Sequence, residues 1–159
     1  MILISACLLG INCKYSGGNN KNPRLISLLQ DEKLIAVCPE ELGGLPTPRL
    51  PAEITGGNAR DVLQGKAKVC LKDGTEVTQE FVKGAEKTKQ IACDHSIKLA
   101  IMKERSPSCG VNSVYDGTFS GKVILGSGIS TTLLKDLGIK VISEETPLTG
   151  EILALIKEK

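Results

Sequence analysis

Tryptophan is absent, and the 159 residues hold only two tyrosines, two phenylalanines and one histidine. Four rings (Tyr15, Phe81, Tyr115, Phe119) are too few for a base-stacking platform or an aromatic cage, so the core must be aliphatic. An excess of either charge is also missing: 20 basic against 18 acidic side chains leave +2, and composition requires no nucleic-acid partner. No apolar run is long enough to span a bilayer. The longest, Met1 to Ile11, lacks the basic leader of a secretory signal, so the expectation is a cytoplasmic protein with no membrane partner. Thiols in that compartment stay reduced, and six cysteines then stand for packing, metal ligation or catalysis, not a disulfide framework.

What is present is 41% hydrophobic content, enough for one core, with no repeat or low-complexity tract; residues 1–159 read as a single domain. Four short apolar runs, Ile2 to Ala6, Leu34 to Val37, Ile97 to Met102 and Lys140 to Ile142, alternate with amphipathic segments. That pattern predicts an α/β fold with a mostly parallel, open, Rossmann-like sheet and flanking helices. Asn22-Pro23 and Thr146-Pro147 each offer a cap followed by proline at the first helical position, Gln79 to Cys93 reads as a helix, and Ser130 and Gly138 bracket another. His95 falls near a helix end, where capping or exposure is the expectation. Leu42 to Gly57, with four glycines and three prolines in sixteen residues, reads as an irregular loop. Asp73-Gly74 between Lys68 to Leu71 and Glu76-Val77 reads as a small β-hairpin.

In open α/β sheets the site lies beyond the carboxyl ends of the strands. Cys7, Cys38 and Cys109 fall at three such ends, whereas Cys13 sits in a Gly/Asn-rich loop, and Cys70 and Cys93 read as small buried hydrophobes. No Cys-x-x-Cys pair is present, which disfavours zinc, and dispersed thiols from separate strands suit an iron–sulfur cluster. Gly126-Ser127-Gly128 before a helix has the look of an anion cradle without the lysine of a P-loop, and serves to bind substrate or only to turn. Lys103 and Arg105 read as solvated strand-end charges, and Glu41 as a surface carboxylate.

Ser5-Ala6-Cys7-Leu8-Leu9-Gly10, Cys38-Pro39-Glu40 with Gly43-Gly44-Leu45-Pro46-Thr47-Pro48-Arg49, and Lys103 to Gly110 together resemble the DUF523 family, whose characterised members are thiouracil desulfidases. The resemblance runs through nearly the whole chain. It implies a 4Fe-4S cluster on Cys7, Cys38 and Cys109, with Glu40 and Ser106 as catalytic residues and Ser108 as a second, substrate-contacting hydroxyl. It also implies a small thiolated pyrimidine as substrate, of the 2-thiouracil or 4-thiouracil type, converted without net electron transfer to the oxo compound and hydrosulfide. Two other readings stand beside it: a closed four-cysteine cluster including Cys13, suited to electron transfer or sensing, and a structural zinc domain.

Overall fold

A computed structural model describes residues 1–158. Its centre is a four-stranded parallel sheet of β1 (Ile2–Ser5), β2 (Leu34–Val37), β5 (Leu99–Met102) and β8 (Lys140–Ser143), in the order β2-β1-β5-β8. The register pairs Ile4 with Ala36 on one side and with Ile101 on the other. Chain order reverses direction between β1 and β5, which is where an open α/β sheet leaves a crevice beyond its carboxyl ends. The expected α/β class is therefore observed.

Alternation along the strands divides the core between the two faces of the sheet. Ile2, Ile4, Leu99, Ile101 and Ile142 pack with Leu25 of α1 (Pro23–Leu28) and with Ile152 and Ile156 of α6 (Gly150–Lys157). Leu3, Ala100, Met102 and Val141 pack on the other face with Ala92 of α4 (Thr78–Asp94) and Leu134 of α5 (Ile129–Asp136). Each fully buried aliphatic side chain contributes about 1.5–3 kcal/mol, so both faces are needed to hold so short a sheet together. No described helix is long and apolar enough to cross a membrane.

Several local expectations hold. Asn22 caps α1 by accepting from the Leu25 amide at 3.0 Å, and Gly138, with φ 76°, supplies the left-handed turn after α5. The long helix lies within a residue of its expected span, and His95 caps its carboxyl end.

Others are corrected. The Gly/Pro-rich segment from Leu42 to Gly57 contains a strand, β3 (Ala52–Thr55), because the prolines cluster before it and leave four residues free to pair. Its partner is β4 (Lys68–Leu71), the strand assigned above to a hairpin with Glu76-Val77. The Asp73-Gly74 turn is real, with Gly74 at φ 89°, but Glu76 forms only an isolated bridge to Cys70. A true hairpin appears elsewhere, between β6 (Ser113–Tyr115) and β7 (Val123–Leu125). Helix α5 starts one residue before Ser130, whose buried hydroxyl has no partner among the described residues. Helix α6 starts at Gly150, capped by Thr149, while the Thr146 hydroxyl accepts from the Ser143 amide. Cys93 is exposed on α4, not buried.

Two glycine contacts fix the segment after β2. That segment forms α2 (Pro39–Leu42), with Cys38 at its N-cap, and it packs backbone to backbone on α4. A Cβ on Gly84 would fall 1.9 Å from the Pro39 carbonyl oxygen, and one on Gly43 would fall 1.9 Å from that of Glu80. Only hydrogen at both positions lets the two helices approach so closely.

Candidate active site

A cysteine lies in the segment that follows each of β1, β2 and β5. After β1 the chain makes one 3₁₀ turn (Ala6–Leu9), closed by Gly10 in the left-handed region, and Cys7 lies within it. The Cys7 carbonyl accepts from the amides of Gly10 (3.1 Å) and Asn20 (2.9 Å), which ties this turn to the Gly/Asn loop. Cys38 closes β2, and Cys109 follows β5 in the loop Ser106-Pro107-Ser108-Cys109. All three border one cavity of about 460 Å³, together with Glu40, Ser106 and Ser108. The chain thus brings together all six residues singled out from sequence.

A carboxylate missed as a functional residue holds the cysteine loop in shape. Glu104 is buried, and its Oε1 accepts from the amides of Val111 (2.8 Å), Asn112 (2.9 Å) and Ser113 (3.1 Å). Burial pushes its pKa up, but the converging amides prevail and set it at about 2. A carboxylate one residue beyond four buried strand positions, with Lys103 between, was the available signal. From the other side, the first amides of α5 donate to the loop: Ile129 to the Pro107 carbonyl (2.9 Å) and Ser130 to that of Ser108 (2.9 Å). The Gly126-Ser127-Gly128 turn therefore spends its helix terminus on protein carbonyls, which favours turning over anion binding. A Cβ on Gly128 would sit 2.4 Å from the Ser108 carbonyl carbon.

Glu40 points its carboxylate into this setting. Its Oε2 accepts from Arg49 Nε (3.0 Å) and also from the Arg49 Nη2 group, and its Oε1 accepts from the Ser108 hydroxyl (3.4 Å). Ser108 lies 3.0 Å from the Ser106 hydroxyl and 3.5 Å from Cys109 Sγ. Ser106 Oγ also accepts from the Ser108 (3.2 Å) and Cys109 (3.1 Å) amides, so the turn-stabilising role of such a serine is present. Arg49 is the second residue that sequence reasoning missed. Its side chain is 4% exposed and also donates to the carbonyls of Pro46 (3.1 Å) and Cys13 (2.9 Å). A charged residue among prolines, at Pro46-Thr47-Pro48-Arg49, was the sequence sign of a fixed guanidinium.

Cys13 departs from expectation. It is 2% exposed and borders the same cavity, within hydrogen-bonding reach of both Cys7 and Cys38. It keeps its proton, its pKa raised by donation to Cys38 and Cys7. The same contact lowers Cys38, and lowers Cys7 to about 7. Burial instead pushes Cys109 up to about 12, so a metal there must displace a proton. Lys103 is part-buried, donating to Glu144 Oε1 (2.6 Å) and the Glu104 carbonyl, and Arg105 pairs with Glu145; neither charge is left free at the strand end.

The description 2-thiouracil desulfurase belongs to the family model that matches residues 2–146. The chain belongs to that family. It is 48% identical over 144 residues to YbbK, an uncharacterised protein of Bacillus subtilis (strain 168), a match covering 91% of this chain and 95% of that protein. The solved structure of TudS, a 4Fe-4S-dependent thiouracil desulfidase, is similar with a TM-score of 0.81 and 39% identity, covering 97% of this chain and 95% of that one. The family resemblance carried by the cysteine motifs is therefore borne out.

Proposed function

We propose that this chain is an iron–sulfur-dependent desulfidase acting in the cytoplasm on a small thiolated pyrimidine of the 2-thiouracil or 4-thiouracil type. The observation that carries the reading is the meeting of three strand-end thiols, one carboxylate and two hydroxyls at a single cavity in a chain of this family. The donor set suits a 4Fe-4S cluster. Three soft sulfur ligands arrive on separate loops, and those loops are held by backbone hydrogen bonds. Cys7, Cys38 and Cys109 would hold the cluster, leaving one position without a protein ligand. When bound it would supply a Lewis acid for the substrate sulfur, with no net electron transfer.

The remaining chemistry falls to the chain. Arg49 offsets the charge on Glu40 Oε2, so Oε1, held only by the longer bond from Ser108, is the oxygen that takes a proton from water. Water oxygen adds to the thiocarbonyl carbon, the carbon–sulfur bond breaks, and sulfur leaves as hydrosulfide while the carbon becomes a carbonyl. The proton held at Glu40 returns to the leaving sulfur. Glu40 then takes the adduct's hydroxyl proton as the carbonyl forms and releases it to solvent, so thiocarbonyl and water give carbonyl, hydrosulfide and one proton. Ser106 accepts two amides, so its own hydrogen is directed to Ser108, and that of Ser108 to Glu40; the two hydroxyls relay protons along this line.

Anaerobic reconstitution, iron and sulfide quantitation and a thiouracil turnover assay test the proposal. A brown protein that releases uracil and hydrosulfide from either thiouracil isomer is the expected result. A reconstituted protein with full cluster content and no turnover of either isomer would overturn the substrate class. The closed-cluster reading has Cys13 beside Cys7 and Cys38 in its favour; against it, Cys13 and Cys38 lie close enough to meet on one metal rather than on two irons.

A further inference from the structure

Overlapping the proposed cluster ligands at Cys38 alone, one further group of metal-ligating side chains converges among the described residues. The sulfurs of Cys13 and Cys38 and a carboxylate oxygen of Glu41 all lie within 4.8 Å of one another. We propose that Cys13, Cys38 and Glu41 form a mononuclear site for a soft divalent cation, zinc above all, and that sharing Cys38 makes its occupancy and that of the cluster mutually exclusive. The exclusivity rests on the cluster reading above; the site itself does not.

Three features support it. Ligands on one tetrahedral zinc, with bonds of about 2.0–2.3 Å, stand roughly 3.5–4 Å apart, so this trio needs only a small contraction. Cys38 and Glu41 are three residues apart at the start of α2, an interval that places both on one face of the turn. Glu41 is already oriented, because its Oε2 accepts from the Thr47 hydroxyl at 2.6 Å, the kind of outer hydrogen bond that fixes a metal-binding carboxylate. The trio also reaches the surface: Cys13 is buried, but Glu41 is exposed. Two sulfurs with one oxygen favour zinc over hard cations, and a water completes the tetrahedron.

Cobalt(II) titration of the anaerobic apoprotein, followed by zinc displacement, reads the site without iron or activity. Wild type should take one equivalent, with thiolate-to-cobalt charge-transfer bands that zinc abolishes. Cys13→Ser should weaken binding by more than about 100-fold, since losing a ligand exceeds the effect of losing an outer partner. Glu41→Gln, at an exposed position that leaves folding intact, should weaken it by about 10-fold or more. Cys109→Ser should bind like wild type while failing to assemble the cluster. Zinc bound beforehand should block cluster reconstitution in wild type and not in Cys13→Ser. Wild-type affinity in Cys13→Ser, or loss of binding in Cys109→Ser, overturns the site. Reconstitution with zinc retained overturns the exclusivity. Failure of thiouracil turnover bears only on the desulfidase reading, because the cobalt bands do not depend on it.

Discussion

Arg49 Nε donates to Glu40 Oε2 at 3.0 Å from a side chain that is almost wholly buried. The pair leaves one carboxylate oxygen fixed against a cation and the other turned to the serine loop. Arg49→Lys keeps the charge and loses the fork that reaches Glu40, Pro46 and Cys13 together. Turnover should fall by about 100-fold, the cost of misplacing a catalytic group by an ångström, while the iron content stays at the wild-type level. Arg49→Ala removes the partner of a nearly buried carboxylate and should also cost about 3 kcal/mol in urea denaturation. Wild-type turnover in Arg49→Lys would show that the fork does not position Glu40.

The serine line makes a separate prediction. Ser108 stands between Ser106 and Glu40, so Ser108→Ala and Ser106→Ala should each lower kcat by about 10²–10⁴-fold with the cluster retained. Glu40→Ala should do the same. Iron and sulfide assays beside single-turnover kinetics check all three, and an unchanged kcat in any one removes that residue from the relay.

Much of this site was legible because the sheet imposes it. Cys7, Cys38 and Cys109 follow uncharged runs, and a parallel sheet collects the ends of such runs on one rim whatever lies between them. Cys13 was not legible in the same way. Its loop is tied back to the first turn by bonds such as Asn20 N to Cys7 O, a long-range closure that no local periodicity encodes. The strand Ala52–Thr55 was hidden by the glycines and prolines on both sides of it, and only its pairing with Lys68–Leu71 makes it a strand. Glu104 acts through backbone amides seven to nine residues on, and Arg49 through Glu40 and the carbonyls of Pro46 and Cys13; no helix or strand period marks such partners, so composition shows their charge and not their role.

The α2–α4 contact predicts a selective defect. Gly84→Ala forces a methyl group against the Pro39 carbonyl, and because backbone meets backbone there, no side chain can rotate away. Overpacking of this kind costs about 1–3 kcal/mol. The displaced segment carries Cys38 and Glu40, so cluster loading should fall by more than the stability loss alone explains. Comparison with Gly150→Ala, which meets nothing within 4 Å, separates the two effects by melting temperature and iron content.

Glu104 predicts a pH dependence whose sign follows from its low pKa of about 2 in the folded chain, against an ordinary value of 4.5. A carboxylate held down in this way contributes its stability in full above pH 4.5, and loses it as pH falls towards 2, because the unfolded chain takes up the proton first. Glu104→Gln keeps the shape but withdraws the charge that gathers the Val111, Asn112 and Ser113 amides, and should cost about 1–3 kcal/mol at neutral pH. The gap between wild type and variant should therefore be constant from pH 7 down to about pH 4.5, then narrow on further acidification. Urea denaturation across that range measures it, and a gap that stayed constant to pH 2.5 would mean that the amides do not depend on the ionised carboxylate. Because the same carboxylate shapes the loop carrying Ser106, Ser108 and Cys109, the variant should also lose cluster at neutral pH, where its fold is still intact.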